Sequence, residues 1–314
     1  MNAMVAKMEK RIGLYVAVIP ILLIAFVSLS YSRQGKESIY ASVPSLVVQL
    51  VSYEGDPAKS TDQLCRKPAG TGFFISTTKK PGNLYLVTAR HVVSGPDDLY
   101  ARVPLVSDET GKRRLMGLHL KRSDWMSHPN EGDENILRTD IAMVGVGKLV
   151  GLSGAAFLHC EGTCEAGLYN QLAKDPEPPE DITVYGFPGD IGFKLKEPRP
   201  LARKGIVALS AEKGEGPYIV FDQDKNKTRY FNSEVFLIDI DAFPGSSGSP
   251  ILRFPLHSFV PYLGGLIVAT DKNHRASIAE PVSHILELLE IASNRPRAER
   301  TWFDLGNHPF PDPC

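Results

Sequence analysis

The order of three polar residues along the chain restricts its fold more than any other feature. Ser247 stands between glycines in Gly245-Ser246-Ser247-Gly248-Ser249-Pro250, and His91 lies in the apolar segment 86–93. Asp140 follows His91 by 49 residues and precedes Ser247 by 107. A serine hydroxyl becomes a useful nucleophile at neutral pH when a neutral imidazole takes its proton and a carboxylate orients that imidazole. The chain therefore offers a base, an acid and a nucleophile in the order His, Asp, Ser.

The backbone around Ser247 offers the donors that such a reaction needs. Negative charge develops on the oxygen of an attacked carbonyl, and fixed N–H groups stabilise it. The N–H groups of Gly245 and Ser247 would point to one spot from a tight turn, and glycine tolerates the backbone angles of such a turn. Gly245 and Ser247 are therefore the candidate oxyanion hole. Asp124 and Asp133 are weaker candidates for the acid than Asp140, since neither opens an apolar strand.

Seven segments together resemble the chymotrypsin-like (trypsin-like) serine peptidases, especially the bacterial Deg-type branch. They are residues 69–76, 86–93, 140–144, 184–189, 204–207, 264–268 and 278–281. The resemblance covers roughly residues 40–294. It implies an all-β fold of two antiparallel β-barrels with a C-terminal helix. It also implies a serine endopeptidase that acts on protein or peptide substrates through an acyl-enzyme intermediate, with no metal and no organic cofactor.

The same resemblance assigns roles to single residues. His91 would deprotonate Ser247, and Asp140 would stabilise the imidazolium that forms. In the digestive relatives the residue six positions before the nucleophile forms the base of the primary pocket. That residue is Asp241 here, which would favour a basic side chain. Deg-type enzymes have an aspartate at the position of Asp239 without this preference, so the specificity stays open. The strand around Gly264 and Gly265 is expected to pair with the substrate backbone.

Runs of β-branched and aromatic residues between turn signals predict the strands of the two barrels. The predicted strands are 45–53, 70–75, 84–88, 99–106, 140–146, 182–186, 205–210, 218–222, 234–239 and 263–269. Pro81-Gly82-Asn83 should turn a hairpin. Helical spacing of Val282, Ile285, Leu286, Leu289 and Ala292 predicts a closing helix.

These elements divide the chain into predicted domains. The first barrel covers residues 40–160, a Pro-rich linker 161–181, the second barrel with its helix 182–294, and a tail 295–314. The tail is too short for the peptide-binding PDZ domain of many Deg-type relatives.

The N-terminus predicts export. Residues 1–11 form a basic flank, and the uncharged segment 12–31 is about as long as a bilayer is thick. The segment is either a transmembrane anchor or a signal peptide, because Ser28-Leu29-Ser30 offers a cleavage site. Both alternatives place the catalytic domain on the periplasmic or extracellular side, single-pass anchored or secreted. The expected contact with a membrane is through this segment alone.

Charge and cysteine content narrow the partners further. The 35 basic and 36 acidic residues nearly balance, which speaks against nucleic-acid binding. Four cysteines in an exported chain make disulfides plausible, and Cys160 with Cys164 is the first candidate pair. A zinc site is disfavoured because no second distant Cys/His pair exists. The oligomeric state stays open.

Two other function classes share features with this chain. In α/β-hydrolases the acid and histidine follow the serine of Gly-x-Ser-x-Gly. Here both precede Ser247, and Ser249 replaces the last glycine, so that class is excluded. An inactive trypsin-like fold that serves as an exported protein-binding module remains the alternative. The histidines other than His91, including His128 and His284, are predicted to be structural or at the surface.

Overall fold

The computed structural model describes a defined part of the chain. The described residues are 46–54, 65–77, 80–107, 113–129, 136–137, 139–147, 175–188, 199–210, 218–222, 227–231, 234–253, 262–271, 275–294 and 302–304. The segment 12–31 and the candidate pair Cys160 and Cys164 lie outside this part. Of the helices in the described ranges, none has the length and apolar character needed to cross a membrane.

The described residues are mostly β-strand, as predicted. In chain order the strands are β1 (Val47–Glu54), β2 (Cys65–Thr77), β3 (Lys80–Ala89), β4 (Asp98–Ser107), β5 (Arg113–Lys121), β6 (Met126–Ser127), β7 (Ile136–Leu137), β8 (Ile141–Gly147), β9 (Asp181–Gly186), β10 (Leu201–Leu209), β11 (Tyr218–Asp222), β12 (Lys227–Phe231), β13 (Phe236–Ile238), β14 (Pro250–Arg253), β15 (Tyr262–Asp271), β16 (Ala276–Pro281) and β17 (Trp302–Asp304). The helices are α1 (Arg90–Ser94), a 3-10 turn (Arg122–Asp124) and α2 (Val282–Ser293).

The strands form two main sheets and a small third one. The first sheet has eight strands in the order β17-β5-β4-β1-β2-β3-β8-β6. The second is a closed barrel in the order β10-β13-β16-β15-β14-β9. β11, β12 and β7 form a three-stranded sheet, in which β12 from the second half of the chain pairs in parallel with β7 from the first half. The predicted all-β architecture with a C-terminal helix is confirmed.

The apolar side chains of these strands are buried in two clusters. One apolar cluster fills the second barrel between Ile182, Val207, Ile238, Ile251 and Ile267. A larger cluster extends from the first sheet to α2. In α2 the buried side chains include four of the five predicted positions and Leu288, while Leu286 is only partly buried. The helix therefore covers the core with one apolar face, as its 3.6-residue spacing requires.

A remote carboxylate supports the first turn of α2. The backbone N–H of Ser283 donates to Asp175 over 3.3 Å, and its hydroxyl donates to the other carboxylate oxygen over 3.1 Å. Free N–H groups and the helix dipole both favour an anion at this end of a helix. Asp175 lies in the predicted linker, so the linker takes part in holding the closing helix.

The predicted hairpin turn at 81–83 is wrong. These residues belong to β3, and β2 pairs with it through Ser76 opposite Leu84 and Thr77 opposite Lys80. The register shift leaves residues 81–83 as an insertion in β3. A bulge accommodates extra residues without ending the strand, so residues 81–83 lie within β3.

The predicted tail contains a strand. β17 pairs antiparallel with β5, with Trp302 opposite Leu118 and Asp304 opposite Met116. The outermost strand of the first sheet therefore comes from residues that follow the second barrel and α2.

Candidate active site

His91 lies at the point where β3 ends. Ala89 still pairs with Ile141 of β8, and the next residue begins α1. Val92 and Val93 are buried and hold this short helix against the sheet, while 49% of the His91 side chain is exposed. The short helix thus holds the backbone of His91, while about half of its side chain is accessible to solvent.

Asp140 immediately precedes β8 and contacts His91 at two points. One carboxylate oxygen accepts the backbone N–H of His91 over 2.9 Å, and the other lies 2.6 Å from its Nδ1. The carbonyl of Asp140 accepts the N–H of Arg90 over 3.0 Å. An ionised carboxylate only accepts hydrogen bonds, so the proton of a neutral imidazole lies on Nδ1. Nε2 is then the ring nitrogen that can accept a proton.

Ser247 lies in a loop of consecutive tight turns before β14. The N–H of Ser246 donates to Phe243 and the N–H of Ser249 donates to Ser246. Gly245 has φ of 90° and Gly248 has φ of 85°. These angles fall in the left-handed region that glycine reaches without cost. The backbone angles at these two positions therefore explain why glycine occupies them.

Thr71 of β2 holds this loop against the first sheet. Its N–H donates to the carbonyl of Ser247 over 2.9 Å, and its hydroxyl donates to the carbonyl of Gly245 over 2.8 Å. The same hydroxyl accepts the N–H of Phe187, and the carbonyl of Thr71 accepts the hydroxyl of Thr88. One buried residue thus fixes both ends of the turn that carries the serine.

Gly70 lets the loop approach the histidine. A Cβ added at Gly70 would lie 3.0 Å from the carbonyl oxygen of Ser247 and 2.8 Å from Cγ2 of Val92. Val92 follows His91 directly, so the backbone of Ser247 and the helix of His91 pack against the same glycine. The structure brings His91 and Asp140 into direct contact, and the loop of Ser247 packs beside the histidine helix at Gly70.

The two candidate oxyanion donors share the serine turn. Within the described ranges, the N–H groups of Gly245 and Ser247 have no backbone partner, whereas that of Ser246 between them donates to Phe243. N–H groups left free on a fixed turn are suited to a developing negative charge.

The predicted pocket residue Asp241 lies in the segment that leads to the serine loop. It is exposed, and its carbonyl accepts a hydrogen bond from Arg203. The guanidinium of Arg203 also lies 4.9 Å from the ring centroid of Phe243, a distance typical of a cation–π contact. The role of Asp241 in specificity stays a prediction.

Gly264 and Gly265 do not have the free strand edge expected of them. Gly265 pairs with Ile251 of β14 on one side and with Pro281 of β16 on the other, and Gly264 lies at a bulge opposite β14. A Cβ at Gly265 would lie 2.1 Å from the carbonyl oxygen of Glu280. These glycines serve the close packing of three strands.

An open edge lies further along β15. Pairing with β14 ends at Leu266, and Ile267 is bonded to Gly248 and Ser249 of the serine loop. Beyond it, Ala269 and Thr270 pair with β16. In the described part of the chain their other edge has no strand. The edge of residues 268–270 is therefore free next to the serine loop.

Two polar residues that the sequence did not single out support the site. Thr71 is fully buried, and Glu280 accepts the N–H of Asp140 over 2.9 Å. A charge within the wholly buried strand β16 was the one signal that could have identified Glu280.

The described ranges contain no group of three or more His, Cys, Asp or Glu residues arranged to hold a metal ion. The candidate groups are the hydroxyl of Ser247, the imidazole of His91, the carboxylate of Asp140 and the N–H groups of Gly245 and Ser247. This set is suited to acyl transfer.

Comparisons with known proteins found one family model and several similar solved structures. A family model described as "Trypsin-like peptidase domain" matches residues 70–255. A thermostable serine protease from an extremophilic microorganism is 11% identical, with a TM-score of 0.46 over 81% of this chain and 100% of the other. An inactivated protease paralogue from the scabies mite is 14% identical, with a TM-score of 0.48 over 81% of this chain and 96% of the other. No curated protein matched the chain.

The family model carries the assignment, because it includes the serine loop and spans more than half of the 314 residues. All residues from the helix of His91 to the turn of Ser247 lie within the matched range. The chain belongs to the trypsin-like peptidase domain family.

Proposed function

We propose that the protein is a serine endopeptidase that hydrolyses peptide bonds through the triad Ser247, His91 and Asp140. The two-point contact between Asp140 and His91 carries this proposal. A carboxylate that binds both the backbone and Nδ1 of one histidine sets the tautomer and the direction of Nε2. The half-exposed imidazole leaves room for a substrate beside it.

The proposed reaction uses these residues in two steps. Nε2 of His91 takes the proton of Ser247 as Oγ bonds to the substrate carbonyl carbon, and the oxygen becomes an oxyanion held by the N–H groups of Gly245 and Ser247. The C–N bond then breaks, and the leaving amine takes the proton from Nε2. Water attacks the acyl-enzyme by the same route, releases the acid and restores Ser247. Asp140 stays a carboxylate throughout.

The open edge of residues 268–270 is the better candidate for pairing with the substrate backbone. An extended peptide adds to a free strand edge through main-chain hydrogen bonds, and both edges are occupied at Gly265. Asp241 is the candidate for recognising a basic side chain before the cleaved bond. Cleavage of peptides with Arg or Lys compared with Val or Ala at that position tests this specificity, and equal rates would contradict it.

We further propose an exported enzyme of the Deg-type branch. The basic flank 1–11 and the apolar segment 12–31 support export. Cell fractionation and N-terminal sequencing of the mature protein test it. A membrane-bound protein with its original N-terminus indicates an anchor, and a soluble protein that begins after residue 30 indicates a signal peptide. Retention in the cytoplasm would contradict export.

Labelling of the purified protein with a fluorophosphonate probe tests the proposed activity without a guess about substrate. We expect labelling of the wild type and its loss in Ser247→Ala and His91→Ala. Ser249→Ala is the matched control, since it removes a buried hydroxyl from the same loop and should leave labelling intact. A folded wild type that does not react would favour the alternative of a protein-binding module.

A further inference from the structure

Three side chains, Glu280, His284 and Glu234, are linked by hydrogen bonds and contact the backbone of Asp140 through Glu280. Glu280 and His284 are buried, with 2% and 3% of their side chains exposed. Nδ1 of His284 lies 2.7 Å from Oε2 of Glu280, and its Nε2 lies 2.6 Å from Oε2 of Glu234. We call Glu280, His284 and Glu234 the Glu280 cluster.

The contacts of His284 define its protonation. A neutral imidazole has one N–H, so one ring nitrogen would direct a lone pair at a carboxylate oxygen. Both ring nitrogens face such oxygens, and the imidazolium is the form that satisfies them. Burial alone would lower the pKa of His284. The hydrogen bonds and charges of Glu280 and then Glu234 outweigh it and raise this pKa to about 9.

The Glu280 cluster reaches the candidate catalytic acid through one hydrogen bond. Oε1 of Glu280 accepts the backbone N–H of Asp140 over 2.9 Å. The carbonyl of Asp140 is held by Arg90, and its carboxylate is committed to His91. Glu280 therefore fixes the remaining polar group of Asp140, and with it the direction from which the carboxylate meets His91.

β16 connects this contact to the serine loop. Ala279 precedes Glu280 and pairs with Ile267 of β15. The carbonyl of Ile267 accepts the N–H of Gly248, the residue after Ser247, over 2.7 Å. Two paired strands of the second barrel are thus involved, since β16 contacts Asp140 through Glu280 and β15 contacts the loop of Ser247 through Ile267.

A second histidine lies beside the cluster. His128 donates its backbone N–H to Ile141, and its ring centroid lies 5.5 Å from that of His284. Burial lowers the pKa of His128, the positive charge of His284 lowers it further, and the carboxylate of Glu287 opposes both effects. The groups that face His284 are therefore two carboxylates and one imidazole whose lowered pKa favours its neutral form.

Burial of these charges is costly unless every group is paired. An apolar residue at position 280 would fit a strand whose six residues are all buried. A carboxylate at position 280 accepts the N–H of Asp140, which an apolar residue could not do. This hydrogen bond is the contact that links position 280 to the candidate active site.

Resting on the proposed function, we propose that Glu280 is a positioning residue, which fixes Asp140 from the second barrel and is itself held by His284 and Glu234. Glu280 does not touch the substrate. It acts through the backbone of Asp140 and so through the orientation of the His91 ring.

Two near-isosteric variants of the full chain separate the hydrogen bond from packing. Glu280→Met fills the space without an acceptor. Glu280→Gln keeps an oxygen for the N–H of Asp140, and its NH2 group then donates to Nδ1 of His284, which accepts in the neutral ring whose proton stays on Nε2 towards Glu234. We expect Glu280→Met to slow fluorophosphonate labelling by about 10- to 100-fold and Glu280→Gln by less than about threefold, because small displacements of reacting groups have effects of this size. Glu290→Gln, an exposed change on α2, is the control and should label at the wild-type rate.

Two NMR readouts do not depend on activity. The Nδ1 proton of His91 should shift in Glu280→Met and return towards the wild-type position in Glu280→Gln. The amide of Asp140 in the wild type should exchange slowly, which can be measured even where the Met variant fails to fold.

The outcomes distinguish this inference from the proposed function. A folded Glu280→Met with wild-type labelling and an unchanged His91 proton overturns the positioning role while the peptidase stands. A Gln variant as impaired as the Met variant, or a rapidly exchanging Asp140 amide, also overturns it. If the wild type is never labelled but the NMR response is as expected, the proposed peptidase activity is contradicted and the positioning of Asp140 by Glu280 is supported.

Discussion

The hydroxyl of Thr71 donates to the carbonyl of Gly245 over 2.8 Å, although 174 residues separate them in the chain. This bond joins a strand of the first sheet to the turn of the nucleophile. Since Thr71 also accepts the N–H of Phe187, its buried hydroxyl both donates a hydrogen bond and accepts one.

Replacing Thr71 should therefore impair the serine loop more than the fold. In Thr71→Val the N–H of Phe187 loses its acceptor, which costs about 1–3 kcal/mol, and we expect labelling at Ser247 to slow by about tenfold or more. Thr71→Ser keeps the hydroxyl and should stay near the wild-type rate. Labelling kinetics with urea unfolding measure both effects, and a Val variant as fast as the Ser variant would contradict this role.

Gly248 should not tolerate a side chain. Its φ is 85°, and an added Cβ would lie 2.0 Å from the carbonyl oxygen of Thr71. The backbone angle alone costs about 1–3 kcal/mol in another residue, and the clash adds to it. We expect Gly248→Ala to lower the unfolding midpoint and abolish labelling. Gly95→Ala is the control, because nothing lies within 4 Å of its added Cβ; equal effects of the two changes would refute the prediction.

Asp140→Asn should leave the protein folded and nearly inactive. The amide cannot accept at both positions that contact His91, so the Nδ1-protonated tautomer loses its support. Losses of about 10⁴-fold are typical of this change in a Ser-His-Asp triad. Steady-state kinetics on a peptide substrate measure the effect. Asp124→Asn is the control, and a large loss there would move the acid role to Asp124.

His284 should make stability depend on pH on the alkaline side. Its pKa rises from 6.5 to about 9 in the folded protein, a stabilisation on the order of 3 kcal/mol. The folded state then binds more protons than the unfolded state between these values. The contribution is therefore fully present below pH 6.5 and is lost as the pH rises through 9.

Chemical unfolding at several pH values checks this assignment. The difference in unfolding free energy between the wild type and His284→Gln should shrink from pH 6.5 to pH 9.5. A difference that stays constant over this range would mean that His284 is not charged in the folded protein.

Local patterns sufficed for some elements and not for others. The strands β3 and β8 were predicted, and with them the places of His91 and Asp140, because buried β-branched runs mark them directly. β5 was missed because its sequence RRLMGLHLK carries several polar residues, and its strand state depends on pairing with β4 and β17. Strand propensity yields to such neighbours.

The supporting residues of the site were beyond prediction for a related reason. Thr71 and Glu280 act on partners 174 and 140 residues away, and such contacts exist only once the two sheets are assembled. The sequence predicts substrate pairing around Gly264 and Gly265, but both edges of β15 are paired at Gly265. A sequence does not reveal which strands lie on either side.

β17 has a consequence for how the protein is made. A ribosome delivers residues in order, so the outer edge of β5 stays bare until residues 302–304 emerge, after every other described strand. Unpaired strand edges are sites at which incompletely synthesised chains aggregate. A product stalled or clipped before Trp302 should therefore aggregate more readily than the finished chain, even though it carries every residue of the candidate triad.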